Sequence, residues 1–273
     1  MSSAFWKQVV AEGRRVPADR PLDEMTADLT RMLGDRDPDV REGIACPTLA
    51  AWIDEGVYDD LLSGLGDGMC AGLDVGLGRA GDDTVLRRTG SARVLGRCIE
   101  RDTTVGLLDR ETLLRWGDHL ASWLLREQDL HEVASLPGAA GALTHGAVAL
   151  GALMRSPHLD KMELVVLLDV LADRVLETRT VLAAGEVDRL AAAGLTAVRR
   201  NAVPLDLLEP WAARIAGASS GGDAAVDRNA QGFLRSLHLQ LALGAPRPAV
   251  RSDLLLVLID HLRATNPGLL RGD

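Results

Sequence analysis

An all-α fold is predicted by three features of the sequence. Apolar residues recur with helical spacing from Thr84 to Thr265. Alternating β-branched and aromatic runs, the mark of strands, are absent. Pro, Gly and Asp stand where helices would begin and end. The 273 residues are 47% hydrophobic and 25% charged, so there is enough apolar surface to bury and disorder is excluded as the main state. Five Trp, two Phe and one Tyr supply all the aromatic rings, so Leu, Ala and Val must build the core.

The elements follow in order. A first helix is predicted over Ala4–Arg15. A second spans Leu22–Leu33, with Pro21 ahead of it and Gly34 behind. Asp37 is the N-cap of a third, and Pro47 should kink or split it because proline lacks an N–H and clashes with the preceding turn. Thr48–Glu55 continues it. Over residues 58–81 the spacing of Leu61, Leu62, Leu65, Met69 and Leu73 is helical, but six glycines, Gly64, Gly66, Gly68, Gly72, Gly76 and Gly78, interrupt it. Each costs about 1 kcal/mol against Ala, so a helix there needs close packing on a neighbour. Further helices are predicted at Thr84–Glu100, Arg110–Arg126, Pro137–Arg155, Asp160–Ala184, Val187–Asn201, Pro204–Ala216, Ala224–Leu243 and Pro248–Thr265. Short joins between them imply antiparallel hairpins. The chain reads as a single domain, 1–273, with Gly217–Gly222 (GASSGG) as a flexible loop before the last two helices.

Repetition is visible in part. Asp37-Pro38-Asp39-Val40-Arg41, followed by Ala45 and Leu49, fits the start of a HEAT-type second helix. Val85-Leu86-Arg87-Arg88, Ala225-Val226-Asp227-Arg228 and Pro248-Ala249-Val250-Arg251 echo it. Val40 and Leu86 lie 46 residues apart. The expected architecture is therefore a HEAT-like α/α solenoid or a solenoid-like bundle.

Several function classes are excluded or disfavoured. Net charge is −9, and no strong basic block exists to neutralise phosphates, which argues against nucleic-acid binding. The longest apolar run, Leu254–Ile259, is six residues against the roughly 20 of a membrane span. The N-terminus lacks the basic and apolar regions of a signal peptide, so a cytoplasmic protein is expected. Cys46, Cys70 and Cys98 are odd in number and far apart, which points to free buried thiols. No H-x-x-x-H or H-E-x-x-H occurs, so neither a metal nor another cofactor is expected. P-loop, G-x-S-x-G and dinucleotide fingerprints are missing.

Taken together, several segments resemble an uncharacterised bacterial family of α-helical proteins, one of the domains of unknown function. They are Phe5-Trp6, Asp37–Arg41, Thr48–Ile53, Asp83–Arg88 leading into Ser91-Ala92, Glu127-Gln128-Asp129-Leu130, Thr144-His145-Gly146-Ala147, and Glu186 with Arg189-Leu190-Ala191. The resemblance covers about residues 5–215 and implies an all-helical fold but no known reaction. In that family pattern a Trp-Ala-His element precedes Ala-His-Gly-Ala-Asp. Here the Trp position is Ala139, the first His is Gly141 and the Asp is Val148, so of that polar group only His145 remains. The basic residue after Glu-x-Asp-Leu is His131, and a Gly is Glu132.

The candidate ligand-binding residues are Arg88, Glu127, Asp129 and His145. A histidine acting as acid or base needs a partner to set its tautomer, and Glu127 and Asp129 are close in sequence. The alternative role for His145 is a hydrogen bond between close-packed helices. Arg93, Arg97 and Arg101 share one helical face and are expected to pair with nearby acids. The favoured function is a non-enzymatic scaffold whose concave helical surface binds a protein partner or a small-molecule ligand. The alternative is an enzyme with an acid/base pocket around His145 for a small, anionic or natural-product-like substrate.

Overall fold

The computed structural model describes residues 1–130, 141–218, 222–266 and 268. All regular structure among them is helical. The chain divides into two compact units, residues 1–156 and 157–273.

In the first unit, α1 (Ser3–Ala11) is capped by Ser2, whose Oγ accepts from the Phe5 N–H at 3.2 Å. It buries Trp6 and Val9 against α2 (Leu22–Met32) and the helices that follow. Asp37 caps α3 (Pro38–Val40) as expected, accepting from the Asp39 N–H. Pro47 does not split the helix. A wide turn over Arg41–Ala45, closed by the Cys46 N–H on the Arg41 carbonyl, carries the path on into α4 (Cys46–Asp54). Pro47 then stands in the first turn of α4, where a missing N–H is tolerated. After a short turn at Asp59–Leu61 comes α5 (Leu62–Leu73), inside the stretch that glycines made doubtful. Next are α6 (Thr84–Val105), α7 (Arg110–Arg126) and α8 (Ala142–Arg155). Helix α6 outruns its expected end at Glu100 and stops at Gly106, in the left-handed region at φ +76°. Buried Asp102 secures that end: its Oδ1 accepts from the N–H groups of Leu107 and Leu108.

In this unit α5 lies beside α7, while α4 and α6, and α6 and α8, lie side by side and run the same way. Glu42 just before α4, Asp54 at its end and Asp59 beyond it pair in order with Arg93, Arg97 and Arg101 of α6. Asp67 of α5 accepts from Trp116 and Arg115 of α7. Glu100 of α6 pairs with Arg155 of α8.

The second unit repeats this arrangement with α9 (Lys161–Glu177), α10 (Glu186–Arg199), α11 (Leu205–Gly217), α12 (Ala224–Leu243) and α13 (Arg251–Thr265). Trp211 Nε1 of α11 donates to the Leu168 carbonyl of α9, and Arg214 pairs with Asp169 and Asp173. Gln240 of α12 donates to the Asp188 carbonyl of α10, and Arg199 at the far end of α10 reaches the Pro246 carbonyl. Helix α9 ends seven residues before the expected Ala184. Asn229 of α12 takes over the backbone there, accepting from Leu182 and donating to the carbonyls of Thr178 and Thr180. Residues 219–221 of the expected loop and 137–140 of the expected eighth helix lie outside the described residues.

Leucines, alanines and valines fill both cores, together with fully buried Trp6, Trp52, Trp116 and Trp123 in the first unit. The three cysteines are free and buried. Burial raises all three thiols, Cys46 and Cys70 to about 12, so they stay protonated at neutral pH.

One carboxylate stands out on the α1–α2 contact. Burial pushes Asp28 up, but hydrogen bonds from the Met1 amino group (2.8 Å), Trp6 Nε1 (2.7 Å) and Arg31 outweigh it and hold the group down at about 2. An aspartate in an unfolded chain titrates near 3.8. The stabilisation from Asp28 is therefore complete above that pH and lost as pH falls through about 2. Asp28→Asn is expected to cost about 1–3 kcal/mol at neutral pH. In urea titrations the gap to the parent should close as pH drops from about 4 to about 2. A gap of constant size would refute the assignment.

Candidate functional site

Helix α6 starts beside a turn in which Asp82 accepts from the Thr84 N–H at 3.0 Å and from its hydroxyl. One helical turn on, Arg88 points inward and is 0% exposed. Its Nη1 donates to Thr84 Oγ1 (2.7 Å) and to the Val75 carbonyl (2.8 Å). Its Nε and Nη2 grip the two oxygens of Glu127 at 2.6 and 2.8 Å.

Glu127 is the residue at which α7 ends, and it is 2% exposed. Its carboxylate also accepts from Trp123 Nε1 at 2.9 Å and from the Asp129 N–H at 3.0 Å. Asp129 in turn accepts from the Gly81 N–H at 3.1 Å. Fork-to-fork pairing of guanidinium and carboxylate is among the strongest of hydrogen-bonded contacts. Here it ties the α5–α6 connection, the start of α6 and the end of α7 at one point.

Three of the four sequence-predicted residues thus meet: Arg88, Glu127 and Asp129. Their chemistry is turned inward. Four donors occupy the Glu127 carboxylate, and four of the five guanidinium N–H groups of Arg88 are engaged within the protein. His145 stands half-buried in the first turn of α8, its N–H on the Gly141 carbonyl. The next residue, Gly146, lies so close to α7 that a Cβ would come within 2.9 Å of the Trp123 ring and 2.7 Å of Leu124. The start of α8 therefore packs on the helix turn that carries Glu127. His131, Glu132 and Ala139 lie outside the described residues.

Arg93, Arg97 and Arg101 are paired with acids as expected. Sequence reasoning missed the parts of Trp123, Thr84 and the Val75 carbonyl. Trp123 and Glu127 are four apart in a helix and so share a face, which was a usable signal; the carbonyl left none. Among the described residues no three His, Cys, Asp or Glu side chains cluster as a metal site. No described helix is long and apolar enough to cross a membrane.

The fold and this node define an all-helical protein of packed hairpins with a buried charge clip at one helix junction. The family described as "Protein of unknown function (DUF2785)" matches residues 73–239, a span holding Arg88, Glu127, Asp129 and His145, and the chain belongs to that family. Comparison with curated proteins and with solved structures found no match.

Proposed function

We propose that each unit is a short HEAT-like run of helix hairpins, and that the protein is a non-enzymatic cytoplasmic scaffold for a protein partner or small ligand. The repeat reading is supported by the spacing of the bonds between helices two apart. They join residues 41 to 55 positions apart, a range that overlaps the ~40–47-residue period of HEAT and armadillo repeats. The Asp37–Arg41 motif behaves as such a repeat requires: Asp37 caps, and buried Arg41 holds the Asp35 carbonyl at 2.7 Å. Three thiols kept buried and protonated fit a reducing compartment.

The observation that carries the non-enzymatic reading is the saturation of the Arg88–Glu127 pair. A general base must offer a lone pair to a substrate, and an oxyanion-stabilising arginine must offer free N–H groups. Four donors hold the Glu127 carboxylate, and four of the five Arg88 N–H groups are spent inside the protein.

The test is a panel of chromogenic esters, phosphoesters and amides, run beside native mass spectrometry of the chain purified from its own cells at low salt. A stoichiometric bound mass and no turnover sensitive to His145→Ala are expected. Turnover lost in His145→Ala at unchanged melting temperature would overturn the scaffold in favour of an acid/base pocket around His145.

A further inference from the structure

Five arginines stand on α6, and four of them are matched. Arg88 holds Glu127, Arg93 holds Glu42, Arg97 holds Asp54 and Glu100, and Arg101 holds Asp59. Arg87 has no hydrogen-bond or ion-pair partner among the described residues. Asp83, one turn earlier and well spaced to serve it, is taken by Arg36.

Arg87 is also not loose in solvent. A Cβ on Gly34 would stand 3.1 Å from Arg87 Cβ, and one on Gly72 would stand 3.2 Å from its Nε. The stem thus runs between two bare stretches of backbone, one before α3 and one near the end of α5. Burial pushes the guanidinium's pKa down, with no opposing charge. A partly desolvated cation without a counter-charge is costly to keep.

A second, independent feature lies one turn on. Ser91 is fully buried and its hydroxyl has no hydrogen-bond partner among the described residues. It faces the same Gly72 position: a Cβ there would collide with Ser91 Oγ as well as crowd Arg87 Nε. Two donors without a protein partner among the described residues, one of them charged, converge on one piece of α5.

We propose that Arg87, backed by the Ser91 hydroxyl, forms a binding site for a small oxyanion of the phosphate or carboxylate class. The planar guanidinium matches two oxygens of either anion, which is why arginine serves such groups better than lysine. Ser91 adds a neutral donor beside the same Gly72 position that the Arg87 Nε borders. The site stands apart from the scaffold reading, because it rests on Arg87 and its surroundings whatever the helices carry.

The experiment follows the Arg87 Nε–Hε resonance by NMR while inorganic phosphate, and separately acetate, is added at constant ionic strength against chloride. A saturable shift at Arg87 is expected with phosphate or acetate and not with chloride, and the preferred anion tells a phosphoryl ligand from a carboxylate one. Ser91→Ala should weaken binding about fivefold, the loss of one neutral hydrogen bond. Arg87→Gln should abolish saturation while the helical circular dichroism persists. Equal, non-saturating shifts for all three anions would overturn the proposal. So would saturable binding that survives Arg87→Gln, or affinity unchanged in Ser91→Ala.

Discussion

Glu127→Leu is expected to destabilise the first unit by about 3–5 kcal/mol, because it strands a buried guanidinium without its counter-charge. Arg88 is 0% exposed, so it has no route to water short of opening the α5–α6 connection. Arg88→Met should cost a similar amount by leaving the carboxylate buried among neutral donors. The double variant Arg88→Met/Glu127→Leu removes both charges and should recover much of the loss. Recovery stays incomplete, since Trp123 Nε1, the Asp129 N–H and the Val75 carbonyl each lose a partner at about 1 kcal/mol apiece. Denaturant unfolding of the four proteins gives the coupling energy directly. Strictly additive losses would show that the two side chains do not act as a pair.

The second large effect is carried by the glycines of α5, which should respond to the same substitution with opposite signs. A Cβ on Gly66 would run into the Trp116 ring, and Trp116 is fixed by burial and by its 2.8 Å bond to Asp67. Gly66→Ala is therefore expected to lower stability by about 1–3 kcal/mol through overpacking, more than the ~1 kcal/mol gained in helix propensity. Gly64 and Gly68 face open space. There Ala meets nothing and should stabilise by about 0.5–1 kcal/mol at each position. Thermal melts of the three single variants decide it; a rise in melting temperature for Gly66→Ala would mean that Trp116 does not lie over that turn.

This contrast also marks how far the sequence could be read. The helical spacing of Leu62, Leu65, Met69 and Leu73 announced α5, and the six glycines announced only that a neighbour must approach closely. Which glycine is covered depends on the register of α7 beside α5, a long-range fact. Helix starts were legible where a side chain caps its own chain, as at Asp37, Asp109 and Asp223. The end of α9 was not, because Asn229, some fifty residues on, competes for its backbone. At the candidate site, the motif residues Arg88, Glu127 and Asp129 were identified together. That the first two spend their hydrogen-bonding capacity on each other was not readable. Nor was the difference between Arg87 and Arg88, neighbours in sequence set about 100° apart around α6, one holding a carboxylate and one without.

The spacing of the interhelix bonds bears on how the chain is made. Bonds between helices two apart join residues 41 to 55 positions apart. Loop closure over such a span costs little more entropy than over a much shorter one. At about 5–20 residues per second, a helix leaving the ribosome waits roughly 2–11 seconds for its bonded neighbour to be synthesised. The polypeptide can thus lock together from its N-terminus, hairpin upon hairpin, while its C-terminal part is still being translated.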